Sequence, residues 1–267
     1  MSRAAFAPGD TGWHSQWIRP EWPAPEGVRA LITTRAGGVS EGPWSAADGA
    51  GGLNLGEGSD SAEAVAANRA RLRAVLPAEP CWLRQVHGTV VVDAARAAPG
   101  TIADAAFATA PGVVCCVLVA DCLPVLLADA SGRGVAAAHA GWRGLAGGVI
   151  QETVAALRSA LGDPAARLLA FLGPAIGPAR FEVGPEVLDA MRQRLPDAQQ
   201  AFMGHTSGKY RADLYALARQ ALGQVGVSEV HGGAFCTLGE PERFYSFRRS
   251  SPTGRQAALI WRKAVPA

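Results

Sequence analysis

The chain has 267 residues, 49% hydrophobic and 18% charged, with a formal net charge of +2. That balance suits a globular protein with a sizeable core, and so small and scattered a charge excludes a nucleic-acid groove or a membrane patch. Its opening "MSRAAFAPGDTGWHSQWIRP" lacks the apolar core of a signal peptide, and no run approaches 18 apolar residues, so a cytoplasmic location is expected.

In chain order, "VRALITTR" (28–35) predicts a strand entering a long glycine-rich loop through residue 56. "SDSAEAVAANRARLRAVL" has Ser and Asp cap candidates and helical periodicity, which predicts a helix over 61–76. "CWLRQVHGTVVVDA" reads as two short strands broken at His87-Gly88. "GVVCCVLVADCLPVLLADASGRGVAAAHAG" reads as two or three strands too apolar to have an exposed face, with a hairpin signal at "SGRG". A single helix beginning near Gly141 and running through "GLAGGVIQETVAALRSAL" follows, ended by Gly162-Asp163-Pro164. Then come a strand "RLLAFLG", a loop, a helix from Pro185 to about Leu195, and a polar loop through 208. Helix "ADLYALARQALGQVG", strand "VHGGAFC", a loop and the strand "QAALIWRK" close the chain. Strands outnumber helices and alternate with them imperfectly, so mixed sheets flanked by helices are expected rather than a doubly wound fold. No linker or repeat stands out, and residues 1–267 are read as one domain.

Five cysteines, an odd number with Cys115 and Cys116 adjacent and no CxxC pair, argue for reduced thiols over a disulfide framework or a zinc ribbon. His87 in "RQVHG", Cys122 in "VADCLP" and His139 in "AAAHAGWRG" share one context, the end of an apolar strand beside a small residue or turn. Two imidazoles and a thiolate are a ligand set for catalytic zinc with a fourth position open. Each also has a plainer reading. A buried cysteine is by default a small hydrophobe, which suits mid-strand Cys115 and Cys116, and a lone histidine can be a hydrogen-bonded core residue. The spacings of 35 and 17 residues match no local zinc pattern. His14, His205 and His231 lie in polar or less regular settings that suit structural or surface roles.

The motifs "TTRAGGVS", "NLG", "RQVHG", "ADCLPVLLAD", "HAGWRG", "GPAIG…FEVG" and "FYSFRR" occur in an order that resembles the YfiH family. That family is labelled both laccase-domain (polyphenol oxidase) and purine nucleoside phosphorylase. The likeness spans about 28–262, with residues 1–20 as an extension. It implies an α+β fold, a single-domain four-layer αββα sandwich, with a zinc held by His87, Cys122 and His139. It also implies phosphorolysis of adenosine, inosine, guanosine and S-methyl-5′-thioadenosine, with adenosine deamination beside it. Copper-dependent phenol oxidation is attributed to members too.

Deamination suits such a centre, because an activated water can attack C6 of adenine; the chain lacks the H-x-E…P-C-x-x-C signature of other zinc deaminases. For phosphate, Arg35, Arg143 and Arg248 are the candidate bidentate contacts, with the dipole of the helix starting near Gly141 beside them. Trp142 reads either as a base-stacking platform or as core. A multicopper laccase needs a trinuclear cluster, and five histidines and three methionines are too few; copper at one His2Cys site is the most that fits. Three further readings stay open. One is a metal-free thiol hydrolase with Cys122 as nucleophile and His87 or His139 as base; in an extended strand Asp121 would point away from Cys122, leaving no third member. The second is single-site copper oxidation, and the third a non-catalytic zinc-binding quality-control protein. The expected partners are small purine nucleosides and phosphate, and the expected assembly a monomer or small homo-oligomer.

Overall fold

The computed structural model describes residues 13–263; the first twelve residues of the 1–20 extension lie outside the described residues. In chain order the strands are β1 (Val28–Ile32), β2 (Ala36–Ser40), β3 (Pro80–Cys81), β4 (Val91–Asp93), β5 (Ala105–Ala108), β6 (Val114–Val119) and β7 (Leu123–Asp129). They continue with β8 (Val135–Ala140), β9 (Leu168–Leu172), β10 (Glu182–Val183), β11 (Phe202–Gly204), β12 (Tyr210–Ala212), β13 (Glu229–Gly232) and β14 (Gln256–Arg262). The helices are α1 (Ala62–Arg73), α2 (Trp142–Gly147), α3 (Val149–Ala160), α4 (Pro185–Arg192) and α5 (Leu214–Gln224).

Two mixed sheets stack face to face. One has the order β1-β14-β6-β3, the other β13-β9-β7-β8-β5-β4, and a small sheet β10-β12-β11 stands apart. Ile32, Val117, Ala258 and Ile260 of the first meet Ala106, Leu126, Ala137 and Phe171 of the second in a shared core. The other face of the six-stranded sheet packs on α2 to α5 through Leu145, Val154, Leu188 and Leu217. The other face of the four-stranded sheet is covered by Leu72 of α1 with Leu53, Leu55, Trp17 and Trp82. The layering is therefore αββα. Both faces of β7 and β8 are covered, so all their residues are buried and no apolar–polar alternation develops.

Local chemistry sets the element ends. The Ser61 hydroxyl accepts the N–H of Ala64 at 3.1 Å and caps α1, and Asp213 does the same for α5 through Ala216 at 3.0 Å. The single helix expected after His139 is two: Gly148 adopts φ +99°, ending α2 and starting α3, a left-handed conformation glycine takes without penalty. The apolar run over 112–141, read as two or three strands, forms three, β6, β7 and β8, with β6 in one sheet and β7 and β8 in the other. The glycine-rich loop contains β2, and the loops at 174–184 and 196–208 contain β10 and β11. Short edge strands paired over two or three residues leave too little periodicity to read. β5 was missed for another reason: "AAFA" is three alanines around a phenylalanine, without β-branched residues.

Candidate metal centre

The chain crosses between the two large sheets twice near one place. His87 lies on the segment between β3, in the four-stranded sheet, and β4, in the six-stranded sheet. Cys122 lies on the turn from β6 to β7, again between sheets, and His139 is the penultimate residue of β8. His87 is thus not at a strand end but in a turn. Sheets that pack face to face must separate where the chain passes between them, and the three side chains meet in that opening. Their ligand atoms lie within 4.8 Å of one another. The Cys122 Sγ to His87 Nε2 distance is 3.6 Å, and the two imidazole rings stand 4.7 Å apart, nearly edge to face.

Both crossings are conformationally costly. His87 has φ +61° and Asp121 φ +91°, the two non-glycine residues with positive φ among those described. Such conformations cost about 1–2 kcal/mol each and persist only where the surroundings hold them. Asp121 is held by its carboxylate, which accepts the Thr237 hydroxyl at 2.6 Å and the Arg248 backbone N–H at 2.7 Å. Its carbonyl accepts the Ile176 N–H at 2.9 Å. The extended conformation expected of Asp121 is therefore corrected to a left-handed turn, and its carboxylate is spent on these loops. The His87 segment is held by Gln85, whose amide both donates to and accepts from the backbone of Leu118 in β6, at 2.8 and 2.7 Å.

Asp104, just before β5, is fully buried. Its Oδ1 accepts the His87 N–H at 2.9 Å and lies 2.8 Å from Nδ1 of His139, while Oδ2 accepts the N–H groups of Val86 and Gly88 at 3.1 and 2.7 Å. Burial alone would raise its pKa, but the His139 bond and the backbone N–H bonds of Gly88 and Val86 outweigh that and lower it. Burial would likewise lower His139, yet its bonds to Asp104 and Cys122 raise it to about 9. For Cys122 burial works upward, and the hydrogen bonds and charge of His139 and His87 prevail, bringing the thiol down to about 6. Cys115 and Cys116 sit buried in β6, and burial pushes both thiols up.

The donor set fits a zinc-like ion. At tetrahedral angles, bonds of about 2.0–2.1 Å to nitrogen and about 2.3 Å to sulfur separate two such ligands by about 3.6 Å, the spacing of His87 and Cys122. Space for the ligands is set by Gly141, where a Cβ would fall 2.8 Å from His87 Cδ2 and 2.9 Å from Cys122 Sγ. His14, His205 and His231 stand elsewhere; His14 packs near Trp17, and His205 pairs with Glu182 at 3.4 Å.

His87, Cys122 and His139 form part of the wall of a cavity of about 780 Å³. Arg143 and Arg248 also line it. The Arg143 guanidinium lies 4.3 Å over the Trp142 ring and makes no hydrogen bond or ion pair among the described residues. Arg248 lies over Phe181 and donates to the Glu182 carbonyl at 2.9 Å. Arg35 is placed differently, outside the lining: its guanidinium donates to the carbonyls of Ser45, at 2.6 and 3.0 Å, and Pro241, at 2.8 Å. Trp142 is half-buried, lining the cavity on one side and packing on the helical core on the other. Helix α2 spans only six residues and makes no anion site by its dipole alone. The sequence reading missed Asp104, Gln85 and the lining arginines Arg69, Arg84 and Arg255. Asp104 did leave a signal, a lone acid in the apolar run "IADAAFA", since a buried carboxylate requires partners.

Residues 29–263 match the family model described as multi-copper polyphenol oxidoreductase laccase. A Pseudomonas aeruginosa protein named purine nucleoside phosphorylase is 51% identical over 92% of this chain and 98% of its own. The Escherichia coli purine nucleoside phosphorylase YfiH is 48% identical over 92% of this chain and 99% of its own. The chain belongs to the YfiH family. A solved structure of a Neisseria meningitidis protein of the DUF152 family superposes with a TM-score of 0.84 at 49% identity, covering 93% of this chain and all of its own. YlmD from Geobacillus stearothermophilus gives 0.83 at 32%, covering 93% and 96%. Among the described residues of this YfiH-family chain, no helix is long and apolar enough to cross a membrane.

Proposed function

We propose that this chain is a zinc-dependent purine nucleoside phosphorylase that also deaminates adenosine, with adenosine, inosine, guanosine and S-methyl-5′-thioadenosine as substrates. The observation that carries the reading is the convergence of His87, Cys122 and His139 in the wall of a cavity large enough for a nucleoside and phosphate. The names of the relatives supply the reaction class. His87, Cys122 and His139 would hold the metal, which when bound supplies Lewis acidity and lowers the pKa of a coordinated water to about 7.

The chain's own residues do the rest. Arg143, unpaired among the described residues, and Arg248 receive the phosphate dianion. Trp142 and Phe181 offer apolar faces to the purine. In phosphorolysis a phosphate oxygen bonds to C1′ as the bond from C1′ to N9 breaks; the departing purine takes up a proton, and the sugar leaves as its 1-phosphate, ribose 1-phosphate from the ribonucleosides and 5-methylthioribose 1-phosphate from S-methyl-5′-thioadenosine. Arg35 has no part here, because its guanidinium serves the loop carbonyls. A trinuclear copper cluster is not supplied by the one His-Cys-His group found among the described residues, so copper chemistry is confined to a single ion.

The test is a nucleoside panel with and without phosphate and chelator, products separated chromatographically. Phosphate-dependent base release and phosphate-independent inosine from adenosine, both lost on chelation, are the expected results. Adenosine with phosphate yielding neither adenine nor inosine sinks the reading.

One observation favours a second reading. Cys122, His139 and Asp104 form a thiol–imidazole–carboxylate series, which supplies the third member that a metal-free thiol hydrolase lacked in sequence. Full activity after chelation, with covalent trapping at Cys122, would select it.

A further inference from the structure

The Asp104 carboxylate faces four partners: the backbone N–H groups of Val86, His87 and Gly88, and Nδ1 of His139. An ionised carboxylate is an acceptor only, with about four lone-pair sites, so every site is filled and every partner must donate. The three backbone groups have no alternative. The imidazole has one, since a neutral ring carries its proton on either nitrogen. Facing this carboxylate, Nδ1 of His139 must bear the hydrogen, and the opposite nitrogen, Nε2, keeps a lone pair on the side of Cys122.

We propose that Asp104 is the positioning residue of the metal centre, selecting the Nδ1–H tautomer of His139 and holding His87 in its left-handed turn through the same four bonds. The inference rests on the metal-centre reading above. It reaches both histidine ligands from one buried atom pair: the ring of one, the backbone of the other. The His139 N–H donates to the Asp104 carbonyl at 2.7 Å, so main chain and side chain of Asp104 both grip that ligand. Asp104 is fully buried and does not line the cavity, whereas His87 and His139, which it bonds, do; it acts through the histidines.

Asp104→Asn separates this role from simple support. An amide keeps the shape but replaces one acceptor oxygen by an NH2 donor. Turned toward Val86 and Gly88, that NH2 opposes two fixed N–H groups. Turned toward His139 it opposes one, at His87, and the imidazole can adapt by moving its proton to Nε2. The second orientation is favoured, and it removes the lone pair the metal needs.

The test uses zinc as probe on the full chain. Wild-type protein is expected to bind one zinc, and Asp104→Asn to bind it about 10–100-fold more weakly, the range seen when a ligand's outer partner is lost. Gln85→Ala, which removes another anchor of the same loop while bonding neither imidazole, is expected to stay within about threefold of wild type. Long-range proton–nitrogen spectra of the zinc-loaded wild type should show His139 protonated at Nδ1. In zinc-saturated Asp104→Asn its ring should be released with an Nε2–H signal. Zinc affinity of wild-type strength in Asp104→Asn, an equal loss in Gln85→Ala, or an Nε2–H His139 in the zinc-loaded wild type each overturn the role of Asp104 while leaving the centre standing. No zinc binding by the wild type overturns the metal reading itself. Should Asp104→Asn fail to fold, the wild-type spectrum decides alone.

Discussion

His87 and Cys122 stand on separate crossings between the two stacked sheets, 35 residues apart, yet Nε2 and Sγ come within 3.6 Å. Each crossing places a non-glycine residue in the left-handed region, His87 itself on one and Asp121 beside Cys122 on the other. The strain is offset by bonds that cross the chain: Asp104 and Gln85 on the first, Thr237 and the Arg248 backbone on the second. The opening between sheets where His87, Cys122 and His139 meet is thus held by buried polar groups, while the covered faces of β7 and β8 supply the rigid background.

Gly141→Ala tests how tightly the opening is fitted. The backbone there, φ −62° and ψ +159°, is open to any residue, so alanine adds no conformational strain. Its methyl would meet His87 Cδ2 at 2.8 Å and Cys122 Sγ at 2.9 Å, pushing both ligands from their places. The expected outcome is zinc affinity reduced by about 10–100-fold with stability lowered by only about 1–3 kcal/mol. Chelator competition and thermal unfolding measure the two. Unchanged zinc affinity would show that the ligands yield freely.

The metal-free protein should carry a reactive thiolate. Cys122 is brought down to about 6 and His139 up to about 9, so between those values the pair is thiolate and imidazolium. The depressed thiol gains its charge as pH rises through about 6, and the raised imidazole loses its own only as pH passes about 9. Iodoacetamide labelling of Cys122, followed peptide by peptide after chelation, should therefore reach half its plateau near pH 6. Cys115 and Cys116, buried and shifted upward, should stay unlabelled in the folded chain. Added zinc should protect Cys122. A half-plateau near pH 9 would show that the histidines do not stabilise the thiolate.

Much of this was legible in the chain because it is written in local signals. Ser61 announces its helix, the "SGRG" hairpin joins β7 to β8, and wholly apolar strands announce a sheet covered on both faces. The three residues that converge declared themselves as polar residues in apolar, small-residue contexts, and the motif order named the family. What could not be read is what depends on pairing between distant segments. That β6 and β7 belong to different sheets is a tertiary fact with no trace in their similar compositions. Arg35 and Arg143 look alike in sequence, each within two residues of a glycine; only packing shows one bonded to loop carbonyls and the other unpaired among the described residues. Asp104 needed its four partners in view before its role could be stated.

That contrast between the two arginines yields the last prediction. Arg143 makes no protein hydrogen bond among the described residues and leans on Trp142 at the cavity wall. Replacing it by methionine keeps the stem's packing and removes only the guanidinium, so folding stability should change by less than about 0.5 kcal/mol. A charge-assisted contact to phosphate is worth about 1.5–3 kcal/mol, so KM for phosphate should rise about 10- to 150-fold, with KM for nucleoside little altered. Arg35→Met should do the reverse. It strips donors from the Ser45 and Pro241 carbonyls and takes a cation from the Tyr245 ring 5.1 Å away, for a stability loss of about 1–3 kcal/mol and an unchanged phosphate KM in the protein that remains folded. Phosphate-dependence kinetics beside thermal unfolding of both variants check the pair. A phosphate KM that moves with Arg35→Met and not with Arg143→Met would place the anion site in the loop around Ser45 instead of at the cavity wall.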